Sequence, residues 1–313
     1  MQYANIHGYT ISKLTLGTVA LGMNYGIANK SGKPPLEESL ELLSFALESG
    51  INTFDTAATY GSAEQLTGAF LADQGKPATI NTVTKFKISP ENIYDIDKAR
   101  AEVFASVRSS LRLLGLKKIP VCLLHMSREL PMEAIAKVLP SIFEDLQHEQ
   151  LIDLAGVSID HPAEAEWFAA QPFIQALQIP INVFDQRLID NGALAHMKAS
   201  GKIIFARSVF LQGLFFLTPD ELKGNLVNAA AYLHQLKLLA AGERMSIAQF
   251  VFSYIRDMDG ITSIVFGAEN KQQVAQNIDL LEGGSISVAA RAAASRAFAA
   301  VPEDIITPAN WSS

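Results

Sequence analysis

Residues 80–125 read INTVTKFKISPENIYDIDKARAEVFASVRSSLRLLGLKKIPVCLLH, and their pattern decides the architecture. INTVTKF (80–86) and IPVCLLH (119–125) are short runs rich in β-branched and apolar residues, too apolar to lie half exposed. Between them Val103, Val107, Leu111 and Leu114 fall at helical spacing over residues 97–114, and Gly115 follows as a stop signal. Two buried strands joined by an amphipathic helix point to parallel strands covered on both faces.

The same alternation runs outward in both directions. Further strands are expected at 14–18, 51–56, 152–158, 176–182, 202–208 and 261–267, and further helices at 36–48, 132–146, 190–199, 246–258 and 271–281. Eight strands alternating with helices predict a (β/α)8 TIM barrel, an α/β fold in which residues 1–313 make a single domain. A doubly wound sheet is the alternative, but no G-x-G-x-x-G stretch follows an early strand. Residues 219–242 read as a helical loop insertion, and residues 286–313 as a C-terminal helix and tail.

Composition narrows the function classes. With 49% hydrophobic and 18% charged residues the chain can bury a large core, which excludes widespread disorder. The net charge of −7 argues against nucleic acid as a partner. Cys122 is the single cysteine, so an internal disulfide and a Cys-rich zinc site are excluded, and its mid-strand position reads as an inert core thiol. His7, His148, His161, His196 and His234 show no metal-ligand spacing, and no metal is expected. The most apolar window, 203–217, is broken by Arg207 and Gln212, so no membrane span is expected. The start, MQYANIHGYT, lacks a signal-peptide pattern, and a cytoplasmic location is expected.

A barrel of this kind carries its chemistry at the C-terminal ends of its strands. Four titratable groups fall there: Asp55 ends the second strand, Tyr60 follows in its loop, Lys85 is near the end of the third and His125 ends the fourth. A phenol near pKa 10 is a poor acid at neutral pH; a close ammonium favours its ionised form, and an aspartate can hold that ammonium in place. Histidine can bond a carbonyl oxygen. Together the four could protonate an alkoxide formed on a carbonyl under hydride attack. None of them can donate hydride, so a cofactor must.

The stretch GINTFDTAATYGSAEQLTG (50–68) closely resembles the aldo-keto reductase signature, G-x-x-x-F-D-T-A-x-x-Y-G-x-A-E. The resemblance continues through TKFK (84–87), SLRLLGLKKIPVCLLH (110–125), GVS (156–158) and IVFGAENKQQVAQN (264–277). It implies an NAD(P)(H)-dependent oxidoreductase that reduces an aldehyde or ketone. Tyr60 would be the general acid/base, Lys85 the group that adjusts its pKa, Asp55 the partner of Lys85, and His125 the residue that orients the substrate. Alternatives are an NAD-preferring alcohol or sugar dehydrogenase on the same site, or a non-catalytic nicotinamide-binding regulatory subunit.

The resemblance also implies cofactor contacts. Thr18, Val19 and Asp55 would lie near the nicotinamide, and Ser158 and Gln178 would bind its carboxamide. Arg207 takes the place of a tyrosine that commonly stacks on that ring. Ser208, Phe210, Gln212 and Gly213 would follow the pyrophosphate, and Gly267, Ala268, Glu269, Gln273 and Asn277 the adenosine phosphate. Family tendency favours NADP(H). NAD(H) is the alternative, because Glu269 stands where a Lys or Arg is usual and a carboxylate repels a 2′-phosphate, although Lys271 lies close by to compensate. The partner is a small carbonyl or alcohol substrate. Loops near 23–35, 126–131 and 211–222 and the tail through Trp311 would shape its pocket. Met23, Tyr25, Phe86, Met126, Phe210, Phe215 and Trp311 are candidate walls, and Glu64 is expected to cap or brace the following helix or contact an adenine.

Overall fold

The computed structural model describes residues 1–27, 29, 32–75 and 80–312. Residues 28, 30 and 31 of the expected 23–35 pocket loop, and residue 313 of the tail, lie outside the described residues. Strands β1 (Tyr3–Ile6) and β2 (Tyr9–Ser12) pair antiparallel as a hairpin. Eight further strands follow: β3 (Leu14–Gly17), β4 (Thr53–Asp55), β5 (Asn81–Phe86), β6 (Ile119–His125), β7 (Ile152–Ser158), β8 (Ala176–Pro180), β9 (Ile203–Arg207) and β10 (Ser263–Gly267). They are parallel and close in chain order, with β10 pairing β3, so the fold is the (β/α)8 barrel and not the doubly wound sheet.

The main outer helices are α1 (Val19–Gly22), α2 (Leu36–Glu48), α3 (Ala63–Gln74), α4 (Ile96–Leu114), α5 (Met132–His148), α6 (Ala165–Ala170), α7 (Arg187–Asp190), α8 (Ala193–Ala199), α9 (Ala230–Gly242), α10 (Ile247–Arg256), α11 (Lys271–Glu282), α12 (Val288–Ala297) and α13 (Glu303–Ile306). The expected helix at 190–199 is two short ones, because Gly192 adopts a left-handed conformation, φ 76°, between α7 and α8. The strand expected at 51–56 is shorter at both ends, and that expected at 261–267 begins only at Ser263, where pairing with β9 starts.

Side-chain alternation along each strand builds two cores. Leu16, Phe54, Cys122, Leu124, Val157 and Ile204 face outward into the layer beneath the helices. Val83, Val121, Leu123, Leu154, Ala176, Ile203 and Phe205 fill the barrel interior, and Ile11 of the hairpin packs with them as a floor. Cys122 is buried, and burial pushes its thiol pKa up, which keeps it protonated. The interior file then turns polar toward the C-terminal ends: Asp55 follows Thr53, Lys85 follows Val83, His125 follows Leu123, Ser158 follows Gly156, Gln178 follows Ala176 and Arg207 follows Phe205. A period of two along parallel strands thus delivers six polar side chains to one rim.

Candidate active site

The loop carrying Tyr60 is held against the barrel by close backbone contact. A Cβ at Gly22 would lie 1.9 Å from the Tyr60 carbonyl oxygen, so only glycine allows the approach. Gly61 completes the turn at φ +58°, a conformation costly for other residues.

Lys85 is buried, and its ammonium uses all of its donor capacity locally. It donates to both Asp55 carboxylate oxygens at 2.7 and 2.8 Å, to the Thr56 carbonyl at 2.9 Å and to Tyr60 Oη at 3.4 Å. Burial alone would depress its pKa, but Asp55 and Tyr60 outweigh that effect and raise it above the ordinary lysine value. The ammonium therefore stays charged and acts outward through Tyr60. That phenol accepts from Lys85, while its own O–H has no acceptor among the described residues.

The network continues sideways. Gln178 Nε2 donates to Asp55 Oδ1 at 2.7 Å, and Ser158 Oγ donates to Gln178 Oε1 at 3.1 Å. The Thr18 hydroxyl donates to the Asp55 carbonyl at 3.1 Å. Asp55, Lys85, Tyr60, Gln178 and Ser158, drawn from four strands and one loop, thus form one bonded chain.

His125 faces Tyr60 edge-on, ring centroids 6.1 Å apart, and its buried Nδ1 has no partner. Burial first, then the cations Lys85, Lys87 and Arg207, lower its pKa to about 3, so it is a neutral imidazole. In that state it offers one N–H and one acceptor.

These groups open on a cavity of about 980 Å³, at the upper end of the roughly 300–1,000 Å³ usual for cofactor sites. Of the expected site residues, Val19, Asp55, Tyr60, His125, Ser158, Gln178, Arg207, Ser208, Phe210, Gln212, Gly213, Gly267, Ala268, Glu269, Gln273 and Asn277 line it. Thr18 and Lys85 do not; both stand behind Asp55. After β9, Ser208, Leu211 and Gln212 are left-handed at φ 63°, 46° and 52°. Strain at three non-glycine residues in one loop marks a functional segment, and turns of this kind aim backbone N–H groups at anions.

Across the cavity Gln273 Oε1 accepts from the Glu269 backbone N–H at 2.8 Å, and Asn277 Nδ2 donates to the Gln273 carbonyl at 2.8 Å. Asn277 Oδ1 is buried without a partner among the described residues and so has capacity for a ligand donor. Lys271 instead pairs with Glu41 of α2 at 2.6 Å and does not line the cavity. The residues present therefore fit a dinucleotide: a large cavity, a strained loop, and buried polar atoms at His125 and Asn277 without a partner among the described residues.

Among the expected wall residues, Tyr25 and Phe210 line the cavity. Phe86 packs on Phe143 and Phe215 on Phe184, both beneath it. Met126 is buried, Met23 is exposed, and Trp311 donates to the Ile305 carbonyl; none of these three lines the cavity. Glu64 is buried away from it and accepts from Thr84 Oγ1 at 2.6 Å, bracing the Tyr60 loop's helix to β5. The expected tail reaches the cavity through Ile306–Ala309, and Asp160, Asp185 and Arg187 line it without having been singled out from the sequence. Asp160 and Asp185 lie within five residues of a strand end, and that proximity was the available signal. Among the described residues no group of three or more His, Cys, Asp or Glu could hold a metal, and no helix is long and apolar enough to cross a membrane.

A parallel eight-stranded barrel whose rim joins an aspartate, a lysine, a tyrosine and a histidine over one large cavity defines a class that comparison with known proteins identifies. The Aldo/keto reductase family model matches residues 13–287, and the chain belongs to that family. It is similar to aldo-keto reductase YhdN of Bacillus subtilis, 27% identical over 60% of this chain and 56% of that protein. It is also similar to the NADH-specific methylglyoxal reductase of Escherichia coli, 23% identical over 87% of this chain and 90% of that one. The holo form of aldo-keto reductase AKR11C1 from Bacillus halodurans superposes with a TM-score of 0.79 at 20% identity, covering 98% of this chain and 99% of that one.

Proposed function

We propose that the protein reduces an aldehyde or ketone at the expense of a reduced nicotinamide dinucleotide, with Tyr60 as the proton donor. The observation that carries this is the Tyr60 hydroxyl, which accepts from the buried Lys85 and keeps its own proton free for the cavity. A substrate carbonyl oxygen would accept from Tyr60 Oη and from an N–H of the neutral His125 imidazole. The reduced nicotinamide, when bound, supplies the hydride. As negative charge builds on the carbonyl oxygen, Tyr60 transfers its proton there, and the Lys85 ammonium stabilises the phenolate left behind. Asp55 fixes that ammonium on the Tyr60 side, and Gln178 and Ser158 hold Asp55 from the other. In this reading Ser158 and Gln178 also bind the carboxamide, the loop after β9 the pyrophosphate, and Gln273 and Asn277 the adenosine end.

NAD(H) is the preferred cofactor. Glu269 and Asp279 line the adenosine side, whereas Lys271 is engaged with Glu41, so a 2′-hydroxyl is favoured over a 2′-phosphate. The similarity to an NADH-specific reductase supports the same choice over the family tendency to NADP(H). The test is fluorescence titration with NADH and NADPH, followed by a carbonyl panel read as loss of NADH absorbance. Tighter binding of NADH and carbonyl-dependent oxidation are expected. Absence of binding, or binding without oxidation of any carbonyl, contradicts the proposal.

A further inference from the structure

The charges facing the cavity do not cancel evenly. Asp55 is paired with Lys85, Asp160 with Arg128 at 3.2 Å, and Asp185 with Arg187 through bonds of 2.8 and 2.9 Å. Arg207 differs. Its guanidinium donates to the Ile159 carbonyl at 2.9 Å and to Ser208 Oγ at 3.2 Å, and among the described residues no carboxylate pairs with it. Two bonds leave about three of its five N–H groups without a protein acceptor. The Ile159 carbonyl and the Ser208 hydroxyl orient the fork without neutralising it.

A second cation lies nearby. Lys87, exposed just beyond β5, pairs with no carboxylate among the described residues, and both it and Arg207 act on His125. Lys87 does not line the cavity. Of the two arginines that do, Arg187 pairs with Asp185 and Arg207 makes no ion pair among the described residues, while Glu269 and Asp279 lie toward the adenosine side. The buried Glu164 carboxyl senses the Arg207 charge but makes no ion pair with it, and a partly buried guanidinium facing a ligand cavity with no carboxylate in contact is costly unless an anion completes it. Its planar fork matches a carboxylate or a phosphate through two parallel bonds.

We propose that Arg207 receives an oxyanion group, carboxylate or phosphate, carried by the same small molecule as the reacting carbonyl, so that negatively charged aldehydes or ketones are the preferred substrates. The inference rests on the carbonyl-reductase function proposed above. It assigns Arg207 to substrate selection in place of ring stacking on the cofactor.

The test compares matched substrates: glyceraldehyde 3-phosphate against glyceraldehyde, and succinic semialdehyde against butanal. The wild-type kcat/KM is expected to favour the charged member of at least one pair by about 10- to 100-fold, and the pair that shows it tells phosphate from carboxylate. In Arg207→Gln that ratio should collapse, mainly through KM, and Arg207→Lys should restore part of it by returning the charge without the fork. As a readout apart from turnover, the NADH-loaded wild type should bind benzoate more tightly than benzamide, and Arg207→Gln should lose the difference.

An unchanged ratio in Arg207→Gln overturns the inference. If that variant also weakens NADH binding, Arg207 serves the cofactor; if only its Tm falls, Arg207 merely braces Ile159. Neutral aldehydes turned over as well as charged ones would overturn this inference and leave the reductase function standing. Failure of every carbonyl in a protein that binds NADH would overturn both.

Discussion

Asp55, Lys85, Gln178 and Ser158 are buried and bonded to one another across four strands, whereas Glu269, Gln273 and Asn277 sit on one turn-and-helix segment and bond within it. The two sides of one cavity are therefore determined differently. On the Tyr60 side the site and the barrel are the same structure, so a change to the chemistry is also a change to the fold. On the α11 side, the proposed cofactor contacts rest on side chains that can be exchanged singly.

The largest expected effect lies on the bonded side. Lys85→Met leaves Asp55 buried without its cation and should cost about 3–5 kcal/mol of stability, measured by denaturant unfolding. Because the folded Lys85 pKa is raised, its contribution is full below the unfolded value of about 10.4 and is lost as pH rises through the folded one. The gap between wild type and variant should accordingly shrink only in strong alkali. Equal stability near neutrality would break the comparison.

His125 gives the next effect, with the opposite sign. Its folded pKa of about 3 lies below the unfolded value of about 6.5, so protons favour the unfolded chain as pH falls between the two. Relative to His125→Asn, the wild type should lose up to about 2 kcal/mol on going from pH 7 to pH 5, measured by thermal or denaturant unfolding. Parallel stability curves would show that the imidazole is not held neutral.

On the locally determined side the effects should be smaller and confined to ligands. Glu269→Arg should move the NADPH/NADH Kd ratio toward NADPH by about tenfold, without loss of Tm. An unmoved ratio would remove Glu269 from the adenosine site. Lys271→Ala should do least: its pair with Glu41 is half exposed, worth about 0–1 kcal/mol, and the Kd ratio should stay within about twofold. A large shift in that ratio would mean that Lys271 reaches the cofactor after all.

The same contrast explains what the sequence reveals. Strands β6 and β7 are legible at both ends because a buried parallel strand is a continuous apolar run, and the polar residue closing each run marks the rim. The hairpin β1–β2 is marked in the sequence only by His7 and Gly8, which at φ 49° and 82° form the kind of left-handed two-residue turn that joins alternating strands. Helix α3 carries little amphipathic signal because it is buried on several sides: Glu64 and Thr67 face inward, and a Cβ at Gly68 would lie 2.0 Å from the Leu113 carbonyl. The pairing of Lys271 with Glu41 is a long-range contact, and local pattern carries no record of it. The resemblance placed Arg207 beside the cofactor. Only the structure shows that no carboxylate among the described residues pairs with it.

The most direct test of the central claim is a single-turnover measurement on NADH-loaded wild type and Tyr60→Phe, mixed with an aldehyde the wild type reduces. The loss of the phenol should slow NADH oxidation by about 10²- to 10⁴-fold while NADH binding stays within a few fold, since the ring remains and only the proton donor is gone. Oxidation at a near-normal rate in Tyr60→Phe would contradict the account, because the hydroxyl held by Lys85 would then have no part in the chemistry.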